Sequence, residues 1–404
     1  MNRWKLNLAV LFFGQFFVMA GMSMVTPFLP YYLQEDLGVT DTHQVALWTS
    51  FIFSANFVTS FIFQPIWGKV ADKRGRKLML LRSGFGMSVC IGMMGFATSP
   101  WMLLFLRMLN GTISGFNPAA VSLLSTTVPR ERMGFALGIL QSGGVAGTIL
   151  GPLMGGMMAE WVGYRQIFYI TGSFLFLASL LALLFVKDNF DAAKAAKAPQ
   201  ISIIKGFLEL TKIPQLPALY SVTILIQFAL LSVMPLISLF VQELHGQGAM
   251  LAFYAGLVTS VTGFSNMAAS PILGRLGDKI GSERVLLLSL IGASLTTIPQ
   301  AFVTHVWQLL VARFLFGMFM GGLLPSVNAL IRKYTPDGME GRAYSFNTSA
   351  LSIGNLTGPI IGGTLSGLVH IQGIFILSAS LFALNAVWVK KSLSQPGKRG
   401  EATP

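Results

Sequence analysis

The chain has 404 residues, 53% hydrophobic and 11% charged, with a formal net charge of +13. A soluble domain carries about a quarter charged residues, so this chain has too little charge to cover a water-facing surface, which excludes a large soluble enzyme. The single cysteine, Cys90, excludes a disulfide framework within the chain, and the four scattered histidines, His43, His245, His305 and His370, form no metal-ligand spacing.

A bilayer core of about 30 Å asks for roughly 20 mostly apolar residues per spanning helix. Apolar runs between charged or turn-rich breaks predict twelve such spans. The first, 8–33, follows Arg3 and Lys5. It is too long for a signal-peptide core and has no small-residue cleavage site, so it is read as helix 1. It carries Gln15 and Phe16 and ends in TPFLPYYL, Thr26–Leu33.

The second span, 45–69, holds Asn56 and runs into the loop GKVADKRGRK, Gly68–Lys77. Gly68 and Gly75 are expected to permit a tight turn there. Asp72 sits among Lys69, Lys73, Arg74, Arg76 and Lys77, which should keep it ionised, and it is placed to pair across a gate or to meet a helix N-terminus. A solvated loop accounts for the basic residues but not for the glycine–aspartate spacing.

The third span is 79–97, and the fourth, 101–126, carries Arg107, Asn110 and Asn117. An arginine at mid-membrane costs about 2.5–3.5 kcal/mol on insertion scales, so it should face a partner or a wet cavity. Arg107 is read either as fixing helix packing through carbonyl contacts or as acting in coupling. The fifth span, 134–159, carries Gln141 and the stretch GGVAGTILGPLMGG, Gly143–Gly156, including Gly151 and Pro152. Small residues let helices approach closely, and proline removes a backbone bond and bends the helix. The stretch is either ordinary close packing or a conformational element. The sixth span, 165–186, opens with Arg165.

Residues 187–216 are expected to link two halves, 1–186 and 217–404. Between Ile201 and Ile213, Ser202, Lys205, Glu209 and Lys212 share one helical face, and Ile201, Ile204, Phe207 and Leu208 lie largely elsewhere. This pattern fits an interfacial amphipathic helix; a flexible linker is the alternative. The remaining spans are 217–241 with Gln227, 252–275 with Asn266, 284–304, 307–331 with Arg313 and Asn328, 342–367 with Asn347, and 370–389.

The halves repeat each other. SPILGRLGDKIG from Ser270 echoes QPIWGKVADKRG from Gln64, so that Pro271, Gly274, Asp278 and Gly281 follow Pro65, Gly68, Asp72 and Gly75 by 206 residues. The same offset pairs Trp101 with Trp307, Arg107 with Arg313, Gly111 with Gly317 and Gly115 with Gly321, and an offset of 207 pairs GPLMGG from Gly151 with GPIIGG from Gly358. Parallel repeats of this kind predict two six-helix bundles related by an axis along the membrane normal. The fold class is therefore all-α membrane protein, twelve transmembrane helices in two pseudo-symmetric bundles.

Of the 28 Lys and Arg, Arg107 and Arg313 are read as lying inside spans and Arg165 at a span's start. The others are assigned to the N-terminus, the even-to-odd loops, the linker and the C-terminus. The odd-to-even loops hold Glu35, Asp36, Asp41, Glu160, Glu243 and the histidines. Positive residues mark the cytoplasmic side, so both termini are expected there. The basicity is a topology signal on a surface facing anionic lipid, not a nucleic-acid footprint. The chain has no phosphate-binding G-x-x-x-x-G-K-[ST] loop and no nucleophile–base or His/Glu metal constellation, so no ATP site, enzyme activity, metal or cofactor is expected.

These motifs together resemble the major facilitator superfamily across essentially the whole chain. Gly68–Lys77 matches its signature between helices 2 and 3, and LLFLRMLNG around Arg107 resembles the helix-4 motif of proton-coupled members. The Gly-Pro stretch of the fifth span resembles the antiporter motif, and TPFLPYYL the helix-1 pattern of drug exporters. The likeness is closest to the twelve-helix drug:proton antiporters, and within them to the MdtG-like multidrug exporters of bacteria.

The resemblance implies a monomeric exporter of small amphiphiles in the bacterial cytoplasmic membrane, driven by proton influx and opening alternately to each side. It implies that Asp72 latches a gate near Gly341 and Arg342, that Arg76 pairs with Glu131, and that Arg107 serves proton relay or tunes a nearby acid. The polar and aromatic span residues named above, from Gln15 to Asn347, are candidates to line the cavity. One departure stands out: every Asp and Glu falls in a loop or at a helix end. Coupling would then use a peripheral acid such as Asp72, Glu35 or Asp36, and neutral, zwitterionic or anionic amphiphiles fit better than strong cations. A dedicated lipid or metabolite exporter, an uptake symporter and a non-transporting scaffold are the alternatives.

Overall fold

The computed structural model describes residues 3–129, 132–188, 210–246, 248, 250–336 and 339–393, without the side chains of Lys69, Asp72 and Lys73. Among these residues the chain is helical and has no strand. Most of the linker, including nearly all of the amphipathic stretch expected at Ile201–Ile213, lies outside the described residues, as does Glu131.

The first predicted span is two helices, α1 (Arg3–Met24) and α2 (Leu29–Glu35). Pro27 supplies no N–H to continue α1, and Pro30 fits the first turn of α2, where the missing N–H costs nothing. α3 (Thr42–Arg74) is capped by Asp41, whose side chain accepts the His43 N–H at 3.0 Å. Gly75 then takes φ 94°, a left-handed setting that glycine adopts without strain, and α4 (Arg76–Met94) follows at once. Gly68 plays no part in that turn. It lies inside α3 with open space where a Cβ would stand, because the helix runs on for nearly two more turns to Arg74.

The fourth span is also two helices, α5 (Pro100–Ile113) and α6 (Phe116–Thr127), parted by Gly115 at φ 136°. α7 (Met133–Val162) and α8 (Tyr164–Phe185) meet at Gly163, φ 85°. The seventh span is α9 (Gln215–Val233), a 3-10 turn at Met234–Leu236 and α10 (Ile237–His245). α11 (Leu251–Ile280) and α12 (Ser282–Thr297) meet at Gly281, whose φ of 95° repeats that of Gly75. A 3-10 turn, Ile298–Ala301, leads to α13 (Val306–Tyr334). The last two spans are α14 (Glu340–Leu393), which breaks at His370, φ 56°.

Among the described residues, nine stretches are long and apolar enough to cross a membrane. The broken fourth span and α11 are not among them, and the eleventh and twelfth spans count as one. Arg82, assigned to a loop by its charge, lies well inside α4.

Packing groups the chain into two units, Met1–Gln200 with Pro235–Ser260, and Ile201–Met234 with Val261–Pro404. In the first, α1 runs along α7 through glycines at every fourth position. A Cβ at Gly143, Gly147, Gly151 or Gly155 would strike the backbone oxygen of Phe12, Phe16, Ala20 or Met24 in turn. Without a strong hydrophobic force inside a bilayer, such close approach is what joins helices. The second unit repeats the device. Gly354, Gly358 and Gly362 of α14, which follow Gly147, Gly151 and Gly155 by 207 residues, meet the carbonyls of Ile224, Phe228 and Ser232 of α9. Likewise Gly111 meets Asn56 and Thr59, and Gly317 meets Thr262 and Ser265. The sequence repeat is thus a repeat of helix contacts.

Residues 235–260 join the first unit through the far end of its helices. Tyr31 donates its hydroxyl to Ser238 O at 2.6 Å, and Gln34 and Gln242 exchange amide hydrogen bonds at 3.1 and 3.0 Å. Gly156 takes in the backbone of Ala252 and Phe253, and Gly256 that of Pro152.

Candidate functional site

Each unit holds an arginine buried in a span, and its neighbourhood defines the candidate site. In the first unit, Arg107 on α5 is 4% exposed, and its Nε has no hydrogen-bond partner. One turn on, Asn110 donates its side-chain amide to Asn56 Oδ1 on α3 at 2.9 Å, while its own Oδ1 is left free. On α3 the buried hydroxyls of Thr49, Ser50 and Ser54 are unpaired. Gln15 on α1, 1% exposed, has both amide atoms unpaired and packs where a Cβ on Gly144 would fall.

Buried polar groups are nearly always paired, and an unmet one costs about 1–3 kcal/mol. The unmet groups on α1, α3 and α5 are therefore positions open to water or to a polar ligand. The chemistry of the set is one fixed cation, neutral amides and hydroxyls. It can hold an anion or a hydrogen-bonding solute and offers a cation no counter-charge.

In the second unit Tyr220, Ser289, Gln300, Asn355 and Asn385 each keep a buried oxygen without a hydrogen bond, while other amides are paired. Thr223 donates to Asn347 Oδ1 at 2.7 Å, and Asn347 donates to Asn328 Oδ1 at 3.1 Å. Arg313, 6% exposed, leaves Nε and Nη2 unpaired and lies against the rings of Phe316 and Phe375, 5.7 and 5.6 Å from their centroids. Of the other candidates, Gln227, Asn266, Phe16 and Asn117 are partly exposed, and Gln141 and Asn328 are exposed. Asn56 and Asn110 are the candidates paired one turn from Arg107, Gln15 lies on α1 against Gly144 of α7, and Asn328 and Asn347 form a separate pair.

At the Gly68–Lys77 turn the carboxylate that meets a helix N-terminus is Asp188. Its Oδ2 accepts the Arg76 and Lys77 N–H groups at 2.8 and 3.0 Å, capping α4 from just beyond α8. Asp72 lies in the last turn of α3, with its side chain outside the described residues. Asp278, its repeat partner, is exposed at the end of α11.

At the opposite end of the first unit, Asp36 pairs with Arg165 at 2.8 Å, and Tyr164 donates to Glu35 at 3.4 Å. These residues, with Glu160, Gln166 and Leu251, line a cavity of about 430 Å³. Sequence reading gave Asp188 no role, took Glu160 only as a loop acid and assigned Arg82 to a loop. Asp188 is the first acid after the sixth span, and Arg82 a charge inside the third; both positions were visible as such.

The glycine ridges and repeated turns describe a duplicated helical fold, and comparison with known proteins gives its family. A model of the Major Facilitator Superfamily matches residues 11–255 and 219–403. The chain belongs to the major facilitator superfamily. It is 40% identical over 394 residues to the multidrug resistance protein MdtG of Enterobacter lignolyticus, covering 98% of this chain and 94% of that one. It is 41% identical over 391 residues to MdtG of Salmonella typhimurium, covering 96% of each. Among solved structures, the nucleoside transporter NupG aligns with a TM-score of 0.80 at 13% identity, covering 98% of this chain and 100% of that one. A bacterial homologue of the human lysosomal transporter Spinster aligns with a TM-score of 0.80 at 14% identity, covering 96% and 97%. At such identities these two structures show the superfamily's fold alone. The protein is a multi-pass membrane protein of that fold.

Proposed function

We propose that the protein is a secondary active exporter of small amphiphilic compounds, driven by proton influx, in the bacterial cytoplasmic membrane with both termini in the cytoplasm. The observation that carries this reading is 40% identity along nearly the whole chain to a protein named for multidrug resistance. The site supports it. Arg107 with Gln15, Asn56 and Asn110 receives a polar or acidic end of a substrate, and the flexible apolar side chains of 20 methionines and 32 phenylalanines offer an adaptable wall. Closure and opening on alternate sides would carry the compound across. One charge moving through about 100 mV is worth about 2.3 kcal/mol, and at about 1.4 kcal/mol per tenfold that sustains about a 40-fold gradient. The coupling acid is proposed to be peripheral, with Asp72 as the gate residue, because no span holds a carboxylate at mid-depth.

Everted vesicles with an acid interior test this. Adding a panel of unrelated amphiphiles should release protons from wild-type vesicles and much less from those carrying Asp72→Asn. Silence across the panel in well-inserted protein would overturn the multidrug reading and leave a single dedicated substrate or another coupling ion.

A further inference from the structure

The break in the fourth span is a feature the repeat does not share. α5 ends at Ile113, Ser114 and Gly115 interrupt it, and α6 starts at Phe116. The equivalent helix, α13, runs unbroken from Val306 to Tyr334 through Gly321. A break leaves the last carbonyls of the first segment without following N–H groups, and in a membrane those carbonyls must be satisfied inside the protein.

Two are held by side chains flanking the Gly68–Lys77 turn. Trp67 Nε1 donates to Thr112 O at 2.7 Å, and Arg82 Nη2 donates to Ser114 O at 3.3 Å. The Arg82 guanidinium lies on the Trp67 ring, 3.6 Å from its centroid, a planar stacking that lysine cannot reproduce. The second half has Leu273 and Leu288 where these donors would be. The donors are present in the half that has the break and absent from the half that lacks it.

The two segments also have different partners. α5 is pressed to α3 at Gly111, against Asn56 and Thr59, and by the Ser60–Ser114 hydroxyl pair at 2.8 Å. α6 begins with Phe116, whose ring sits at Gly14 of α1 and Gly84 of α4; the residue 206 further on is Gly322. Arg82 keeps Nε and Nη1 buried without partners, so the guanidinium can exchange one carbonyl for another as the segments turn. Arg107 lies on α5 less than two turns from the break.

We propose that Ser114–Gly115 is a hinge of the transport cycle, and that Arg82, stacked on Trp67, is the positioning residue that ties the hinge to the α3–α4 corner at Gly75. The proposal rests on the alternating-access reading above. Movement of α3 and α4 about their corner carries Trp67 and Arg82 with it, and through two carbonyls it resets α5 and Arg107.

The test uses the full chain with Cys90→Ala and a reporter, Ser125→Cys, on α6. Labelling by a membrane-impermeant thiol reagent in everted vesicles is compared with turnover and KM in proteoliposomes. Arg82→Leu should alter labelling several-fold and lower turnover about tenfold with little change in KM, as a conformational step predicts. Arg82→Lys should rescue only in part, and Gly115→Ala should give the same split. Unchanged labelling and turnover in well-inserted Arg82→Leu overturns the hinge; so does a rise in KM together with a lowered melting temperature, which marks a merely structural role. Should Arg82→Leu fail to insert, Trp67→Phe and Gly115→Ala carry the same expectation, and normal turnover in both overturns it. If the wild type moves no compound, the exporter reading fails, and the labelling change in Arg82→Leu alone decides the hinge.

Discussion

The Glu160 carboxylate caps the start of α11: its Oε1 accepts the N–H of Ala252, 92 residues away, at 3.0 Å. Its Oε2 accepts the Met250 N–H at 3.1 Å, and Met250 takes φ 67°, a left-handed setting unusual for a side chain of that size. Free N–H groups at a helix start favour a nearby anion, and here one carboxylate meets two of them.

Glu160→Ala should therefore lower stability by about 0.5–2 kcal/mol, the usual worth of an N-terminal cap. Glu160→Gln, which keeps one acceptor oxygen, should lose less. The melting temperature in detergent reads the loss. Hydrogen exchange should show the amides of Met250 and Ala252 opening first. Equal melting temperatures for Glu160→Ala and wild type would mean that water replaces the cap at no cost.

The glycine ridge separates two classes of glycine. Gly147→Leu and its repeat partner Gly354→Leu should each cost at least about 1–3 kcal/mol, the range for overpacking, because α1 and α9 backbone atoms stand where the side chains would go. Gly68→Ala and Gly274→Ala have open space within their units and should leave the melting temperature unchanged or slightly raised, since alanine favours a helix over glycine by about 0.5–1 kcal/mol. A drop for Gly68→Ala as large as that for Gly147→Leu would contradict this division.

Much of this was legible in the sequence for a physical reason. Apolar length and the charge distribution report the bilayer directly, and glycine spacing reports helix contact, so the spans, the repeat and the Gly143–Gly156 stretch could be read before any coordinates. What escaped depends on tertiary placement. Phe116 and Pro118 follow Gly115 where Gly322 and Leu324 follow Gly321, and Pro118 has no N–H for Ser114 O, so the break had a local signal; what escaped is that Trp67 and Arg82, distant in sequence, hold the freed carbonyls. Gly68 looked like a turn residue because glycine next to charge usually is one, but the helix continued. Asp188 falls in the stretch read as a linker, and only the fold shows it reaching α4.

Asp188→Ala should free the Arg76 and Lys77 N–H groups and cost about 0.5–2 kcal/mol. Asp188→Asn should lose less, since an amide oxygen still accepts. The predicted sign is a lower melting temperature and faster exchange in the first turn of α4. Exchange unchanged there in Asp188→Ala would exclude the cap.

His370 holds the break between the last two spans at φ 56°. A left-handed setting costs an ordinary residue about 1–2 kcal/mol, and a β-branched side chain is the least able to adopt it. His370→Val should therefore lower the melting temperature, while His370→Gly should not, its backbone freedom offsetting the greater entropy it loses on folding. The reverse order would show that the imidazole, not the backbone, sets this turn.

Arg107 decides between packing and function. An unpaired buried charge carries a desolvation penalty of several kcal/mol, and Arg107 is 4% exposed with Nε unsatisfied. If the residue served packing, removing it would open a gap and lower stability. If it is held for a ligand or for coupling, the protein retains it at a cost, and an apolar isostere of similar volume relieves that cost, as replacing buried ionic groups often does by about 1–4 kcal/mol. Arg107→Met should thus keep or raise the melting temperature while abolishing transport of the amphiphile panel. Arg107→Lys, which keeps the charge but not the planar fork, should retain insertion and transport weakly. Arg313→Met is the internal comparison: it sits at the equivalent position, against two phenylalanine rings. It should be similarly stable yet lose less transport, because Arg313 lies against phenylalanine rings, whereas Arg107 has the Asn110–Asn56 amide pair one turn on. A destabilised Arg107→Met with transport reduced only in proportion to its abundance would assign the residue to packing and remove it from the site.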